Sequence, residues 1–182
     1  MITYAYLRRH QDLARAVIMD VVIPGLDPWD EVLRNPYVWH FAFHTIKSLP
    51  ERLVQGRQAE YFDFFYNVLA ADPAKITADA RAAYVRAYAS DDALHAGFEW
   101  YRTLSRDAQD NLSSVYSSQV ATPLLYLRGE KETGRIDDYV ASLRAAGIAQ
   151  VQSNLVPMAG HFPQEEAPEA TWKLIADFAQ AT

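Results

Sequence analysis

The chain has 182 residues, of which half are hydrophobic and 22% are charged, and this composition excludes a wholly disordered protein. The formal net charge is −6, and no run of basic residues points to nucleic-acid binding. Because cysteine is absent, disulfides, zinc–thiolate sites and iron–sulfur clusters are excluded. No apolar run or N-terminal signal predicts a membrane span or secretion, so we expect a cytoplasmic protein without a cofactor or a metal.

The N-terminal part of the chain predicts a helix and then a buried strand. Residues 1–10 have a helical pattern, and residues 16–23 are β-branched and almost continuously apolar. Such a run is typical of a strand that is buried on both faces of a parallel sheet. Asp20 interrupts the run, and Pro24-Gly25 ends it.

The C-terminal part alternates strands and helices. Residues 123–127 and 150–156 predict two further strands, with a helix between them that Asp137 and Asp138 open and Gly147 closes. A last helix is predicted over residues 168–179, with a proline in its first turn. Strands and helices in alternation, joined by short connections, indicate an α/β fold.

The middle of the chain contains no convincing strand. Asp72-Pro73 is typical of a helix start, and Ser90 opens a helix that places Leu94, Phe98, Tyr101 and Leu104 on one face. A helical block of this size between strands predicts a lid or cap over an α/β core. We therefore divide the chain into core residues 1–26, a helical cap over residues 27–118 and C-terminal core residues 119–182.

Three positions could carry chemistry. His161 lies on a loop after a predicted parallel strand, where α/β proteins place functional residues, and its side chain suits a general base or a structural hydrogen bond. Asp20, at the end of the first strand, could orient His161 or cap the loop at Pro24. Tyr101, in an aromatic-rich part of the cap, could donate a hydrogen bond to a ligand or belong to the core.

Several segments together resemble the epoxide hydrolase and haloacetate dehalogenase group of α/β-hydrolases. The run from Gly160 through His161 and Glu166 to Pro168 is similar to the group's catalytic-histidine motif. Residues 39–44 and 49–54 resemble the start of its helical cap, and residues 99–102 resemble a second cap signature. Residues 19–24 resemble its acid-bearing strand, and residues 1–15 resemble the helix after its nucleophile. The resemblance implies the C-terminal part of an α/β-hydrolase core with an inserted cap.

The resemblance also implies roles for individual residues. In this group an aspartate attacks an epoxide or halogenated carbon of a small organic substrate, and a histidine–acid pair then hydrolyses the alkyl-enzyme ester. His161 is the implied base, Tyr101 the implied cap donor and Asp20 the favoured acid. Other members place the acid after the next strand, which makes Glu132 the rival. Trp39 takes the place of a cap tyrosine, and His40 aligns with a histidine of halide-releasing members, so Trp39 and His40 are expected to bind substrate.

One element of the group has no counterpart in the sequence. No strand is followed by the G-x-D-x-G or G-x-S-x-G pattern that carries the nucleophile. We therefore expect the chain alone to be inactive, and to be completed by a missing N-terminal segment or by association with another copy. The alternative from a different class is a non-catalytic ligand-binding or assembly module. A lyase or cyclase on the same fold is a weaker alternative.

Overall fold

The computed structural model describes residues 1–113 and 119–181, and its centre is a three-stranded parallel sheet. The strands are β1 (Ala16–Met19), β2 (Leu124–Gly129) and β3 (Val151–Val156), in the spatial order β1-β2-β3. Leu124 of β2 lies opposite Ala16 of β1 and Val151 of β3. The α/β fold predicted from the sequence is confirmed.

The first strand is shorter than the sequence predicts. The apolar run continues to Ile23, yet β1 ends at Met19 because Asp20 has a φ of 47°, in the left-handed region. A residue in that conformation turns the chain out of the extended path that strand pairing requires. The predicted strand over residues 16–23 is therefore wrong beyond Met19, although Ile23 is buried in the core.

Ten α-helices surround the sheet within the described residues. Core helix α1 (Ile2–Arg9) precedes β1. The middle region, which we call the cap after the prediction for residues 27–118, holds α2 (Trp29–Arg34), α3 (His40–Thr45), α4 (Leu49–Val54), α5 (Gln58–Leu69), α6 (Ala78–Ala87) and α7 (Asp91–Leu112), with short 3-10 turns at Pro36–Val38 and Pro73–Lys75. The C-terminal core holds α8 (Ile136–Ala145), α9 (Pro163–Glu166) and α10 (Pro168–Gln180). No described helix is both long and apolar enough to cross a bilayer.

The cap region is helical, as predicted, over the part that the structure describes. Ser90 caps α7, since its Oγ accepts a hydrogen bond from the backbone N–H of Ala93 at 3.2 Å. Asp72 caps only the 3-10 turn Pro73–Lys75. The next α-helix, α6, begins at Ala78, and Thr77 is its N-cap residue. The predicted boundary of the cap at residue 118 lies outside the described residues.

Strand β2 is the central strand of the sheet, and all six of its residues are buried. On one face, Tyr126 packs with residues of α1 and α8 in the larger core cluster. On the other face, Leu125 and Leu127 pack against Phe178 of α10. Burying each of these side chains contributes about 1.5–3 kcal/mol, so β2 stabilises the core on both faces of the sheet.

Two glycines permit close backbone contacts around the loop after β3. A Cβ atom on Gly129 would overlap the carbonyl oxygens of Ala159 and Gly160. A Cβ atom on Gly160 would lie 2.5 Å from the backbone nitrogen of Ala71. Backbone atoms cannot move aside as the end of a side chain can, so only glycine fits at these positions.

We predict that Gly129→Ala lowers the free energy of unfolding by about 2 kcal/mol or more, because the new methyl group overpacks rigid backbone. Urea unfolding at a single pH measures the change. The control is Gly56→Ala, where no atom lies within 4 Å and only the left-handed φ of 78° is penalised, at about 1 kcal/mol. Equal losses in the two variants would contradict the close approach.

Candidate active site

A cavity of about 810 Å³ opens at the carboxyl ends of the strands and is bounded by both the core and the cap. From the core it is lined by Asp20 after β1, Glu132 after β2 and His161 after β3. From the cap it is lined by His40 of α3 and Tyr101 of α7, among others. Ligands of open α/β sheets bind at this end of the strands, so the cavity is the candidate active site.

The loop that carries His161 is fixed by backbone hydrogen bonds to the cap. The N–H of His161 donates to the carbonyl of Leu69 at 3.1 Å. The buried carboxylate of Glu166 accepts four backbone N–H groups, two in the cap and two in the loop: Ala71 (2.7 Å), Asp72 (3.1 Å), Gly160 (3.0 Å) and Phe162 (3.1 Å). Glu166 therefore joins the cap to the histidine loop.

His161 forms its direct hydrogen bond with Glu132. The distance from Nδ1 of His161 to Oε1 of Glu132 is 2.9 Å. The second oxygen of Glu132 accepts the N–H of Thr133 at 3.0 Å and lies 3.4 Å from Nη2 of Arg128. Burial alone raises the pKa of Glu132, but these partners outweigh it and hold the pKa below its usual range. An ionised Glu132 orients the imidazole, and Nε2 remains for a reacting group.

Asp20 lies beside the same imidazole at a longer distance. Its Oδ2 is 3.7 Å from Nδ1 of His161, so no hydrogen bond joins the two side chains. Asp20 is 6% exposed, and burial is the main reason that its pKa is raised to about 7. The structure thus brings both candidate acids to His161, and the hydrogen bond is made by Glu132.

The two carboxylates change the proton affinity of His161. Burial lowers the pKa of the imidazole, but the hydrogen bond that His161 donates to Glu132 and the charges of Asp20 and Glu132 more than compensate, so the pKa is raised. Arg128 opposes this increase. His161 can therefore accept a proton on Nε2 and hold it as an imidazolium that is flanked by two acids.

Arg128, at the end of β2, is a site residue that the sequence analysis missed. Its buried guanidinium lies 3.7 Å from Asp20, donates to the carbonyl of Thr133 at 2.6 Å and lies 4.2 Å from the centre of the Tyr139 ring. One arginine thus offsets part of the charge of the two carboxylates. The available signal was an isolated charge in an apolar strand, because a buried charge must be paired.

The cap supplies uncharged polar groups to the cavity. The ring centres of His40 and Tyr101 are 5.5 Å apart. Burial, with the nearby charge of His161, lowers the pKa of His40 to about 4, and burial raises the pKa of Tyr101. At neutral pH both side chains therefore have a hydrogen to donate to a ligand. Trp39 is placed differently: it is 41% exposed, stacks on Phe65 and does not line this cavity.

The donor atoms of Asp20, Glu132 and His161 lie within 4.8 Å of one another, which is close enough for a shared metal ion. However, Glu132 already accepts the hydrogen bond of His161, and Arg128 lies beside both carboxylates. A second positive charge would be repelled there. The arrangement fits a histidine with its supporting acids better than it fits a metal site.

Solved structures with the same fold extend these observations. No protein-family model matches the chain, and no curated protein matches it significantly. Cfl2 from Burkholderia cenocepacia is 27% identical over 95% of the chain, with a TM-score of 0.79. ALR0039, a proposed α/β hydrolase from Nostoc sp., is 24% identical over the whole chain, with a TM-score of 0.82. The epoxide hydrolase CorEH is 22% identical over 98% of the chain, with a TM-score of 0.76.

The chain accounts for only part of each of these structures. It spans 59% of the length of Cfl2 and 62% of the lengths of ALR0039 and CorEH. The similarity therefore covers nearly all of this chain, but less than two thirds of each longer protein.

We predict that Glu132→Gln lowers the measured pKa of His161 by about 1 or more, because a charged hydrogen-bond partner is lost. Asp20→Asn lowers it less, since Asp20 acts over a longer distance. The pKa is measured by NMR titration of the imidazole, which is practical with five histidines in the chain.

Glu130→Gln is the matched control, because Glu130 lies in the same turn and does not contact His161. A larger decrease with Asp20→Asn than with Glu132→Gln would make Asp20 the principal acid.

We predict that the ionisation of Asp20 lowers the free energy of unfolding as the pH rises from about 4 to about 7. Its pKa is raised from 3.8 to about 7 in the folded chain, so the folded state binds this proton more tightly than the unfolded state does. The Asp20→Asn variant lacks this ionisation. Its free energy of unfolding should therefore rise relative to that of the wild type, by up to about 1.4 kcal/mol per pH unit in that window.

Urea unfolding at several pH values measures this difference, with the exposed Asp177→Asn as the control. A difference between wild type and Asp20→Asn that does not change with pH would contradict the raised pKa.

Proposed function

We propose that the chain, which has an α/β-hydrolase fold, carries the histidine–acid half of an epoxide hydrolase-like site. The observation that carries this proposal is the 2.9 Å hydrogen bond between His161 and Glu132, at the edge of a cavity that cap residue Tyr101 also lines. A histidine that an acid orients, and whose second nitrogen remains for a reacting group, is suited to activate water. The substrate is a small molecule with an electrophilic carbon, either an epoxide or a halogenated compound.

The proposed reaction has two steps. First, a carboxylate nucleophile attacks the carbon, the carbon–oxygen or carbon–halogen bond breaks, and an alkyl-enzyme ester forms. Next, Nε2 of His161 takes a proton from water, and the resulting hydroxide attacks the ester carbonyl. The tetrahedral intermediate then collapses, its hydroxyl proton goes to the departing alkoxide, and the carboxylate is restored. The proton held on Nε2 goes to the oxygen of the opened epoxide or, after loss of a halide, to solvent, and a diol or a hydroxylated product leaves. Glu132 stabilises the imidazolium that forms, as the acid does in a catalytic triad.

The cap has a separate role in the first step. When the carbon–oxygen bond of an epoxide breaks, negative charge develops on the leaving oxygen. Tyr101 and His40 are neutral donors with buried surroundings, so a hydrogen bond from either one stabilises that charge more than water would. If the substrate is a haloacid, the same donors face the departing halide.

We place the nucleophile outside the described residues. Among these residues, the carboxylates that line the cavity are Asp20 and Glu132, and both lie on the Nδ1 side of His161. A nucleophile must instead lie within reach of Nε2. The described part of the sheet pairs β1 only with β2, which leaves one edge of β1 free beside Asp20. A strand added there would end next to His161, and either a further segment or a second copy of the chain could supply it.

A ligand-binding module without catalysis is the second candidate. The large cavity and its uncharged cap donors favour it, because they form a small-molecule site even without a nucleophile. The two candidates differ in the importance of His161. A binding module tolerates its substitution, whereas a hydrolase does not.

We predict that the 182-residue chain alone does not hydrolyse epoxides or haloacids, and that the product of the longest reading frame containing it does. His161→Ala should lower the hydrolysis rate by about 100-fold or more, because the base is lost. Product formation from a phenyl-substituted epoxide and from chloroacetate is followed by chromatography. His10→Ala, at an exposed position, is the control.

The possible outcomes are distinct. Turnover by the 182-residue chain that depends on His161 would place the nucleophile within the chain. Turnover that His161→Ala leaves unchanged would overturn the assigned base. No turnover by either protein would leave the ligand-binding module as the function.

A further inference from the structure

A second cavity, of about 180 Å³, lies inside the cap, and we name it the cap chamber. All of its lining residues fall between His40 and Tyr101, so the cap alone forms it. Eight of the twelve lining residues are phenylalanine or tyrosine, and Leu94 adds an aliphatic wall. The chamber therefore does not depend on any segment that completes the core.

The polar groups of the cap chamber carry no charge at neutral pH. Burial lowers the pKa of His40 to about 4 and that of His44 to about 3. His44 also uses Nε2 in a 2.6 Å hydrogen bond with the hydroxyl of Tyr61. A charged ligand group would lose its hydration here without gaining a partner of opposite charge, so the lining excludes it.

The cap chamber adjoins the large cavity that contains His161. Four residues line both spaces: His40, Tyr88, Gly97 and Tyr101. Gly97 matters because a Cβ atom there would lie only 2.7 Å from Cε1 of Tyr88. A glycine at this point of α7 leaves room for the Tyr88 ring between the two spaces.

We propose that the cap chamber binds one aromatic ring of the substrate, while the reactive carbon of that substrate lies beside His161 in the large cavity. The size fits, since an apolar protein cavity of about 150 Å³ holds one benzene molecule. The chemistry fits as well, because surrounding aromatic side chains pack favourably against a ring, edge to face or offset. The assignment of this ring to a substrate rests on the function proposed above, but the binding of a ring does not.

The test uses benzene as the probe and the 182-residue chain with methyl-labelled leucines. Benzene should shift the NMR signals of the Leu94 methyl groups in a saturable way, because Leu94 lines the cap chamber and is 1% exposed. Gly97→Val should weaken binding by about tenfold or more, which corresponds to about 1.4 kcal/mol. Ala96→Val adds a similar bulk to the exposed neighbour on the same helix, and it should leave binding unchanged.

Two results would overturn the cap chamber as a ring site. One is the absence of a saturable shift at Leu94, and the other is equal affinity in Gly97→Val and wild type. Circular dichroism of both variants checks that the helices are retained. If Gly97→Val does not fold, Gly97→Ala replaces it, because even this single Cβ atom would lie 2.7 Å from Cε1 of Tyr88 and would shift that ring, while the Leu94 methyl signals remain as the readout.

A second measurement separates this proposal from the proposed function. The product of the longest reading frame is assayed with phenyl-substituted and methyl-substituted epoxides. The cap chamber predicts that Gly97→Val lowers the specificity constant for the phenyl compound about tenfold more than that for the methyl compound. Equal losses for both compounds would overturn the chamber as a substrate subsite. If neither compound is hydrolysed, the proposed function fails, and the benzene titration still decides whether a ring binds.

Discussion

The candidate site depends on a backbone contact between two segments that are about thirty residues apart. Gly129 ends β2 and lies so close to Ala159 and Gly160, in the loop after β3, that it has no space for a Cβ atom. This contact places the turn that carries Glu132 beside the loop that carries His161. The 2.9 Å hydrogen bond between the two side chains follows from it. A larger residue at Gly129 would push the two segments apart and would lengthen the hydrogen bond between Glu132 and His161, although neither side chain is itself altered.

Charge balance is the second condition for the site. Asp20 and Glu132 are both close to one imidazole, and burying two carboxylates without compensation would be strongly unfavourable. Arg128 provides part of the compensation from the end of β2, where the apolar neighbours of its strand hold it in place. The protonated form of His161 provides the rest. The imidazolium form of His161 is therefore stabilised by the same groups that orient the ring, as the proposed reaction requires.

The cap and the core contribute different chemistry. The core contributes charges: two acids, one arginine and the histidine that they surround. The cap contributes neutral donors and aromatic surface, because burial keeps His40 and His44 unprotonated. Glu166 connects the two parts through four backbone hydrogen bonds, so the position of His161 depends on the cap as well as on the sheet. Opening the cap would therefore disturb the base directly.

The sequence by itself determined the α/β class and the helical middle region, and it pointed to His161 as a candidate, because apolar periodicity and a short motif are local properties of the chain. Tertiary structure decided the rest. Both candidate acids were visible in the sequence, but only the close approach of the segments after β2 and β3 gives Glu132 the hydrogen bond. Trp39 and His40 are adjacent in the chain, yet only His40 lines the large cavity. Distances between elements far apart in sequence depend on how whole surfaces pack, and no local pattern contains that information.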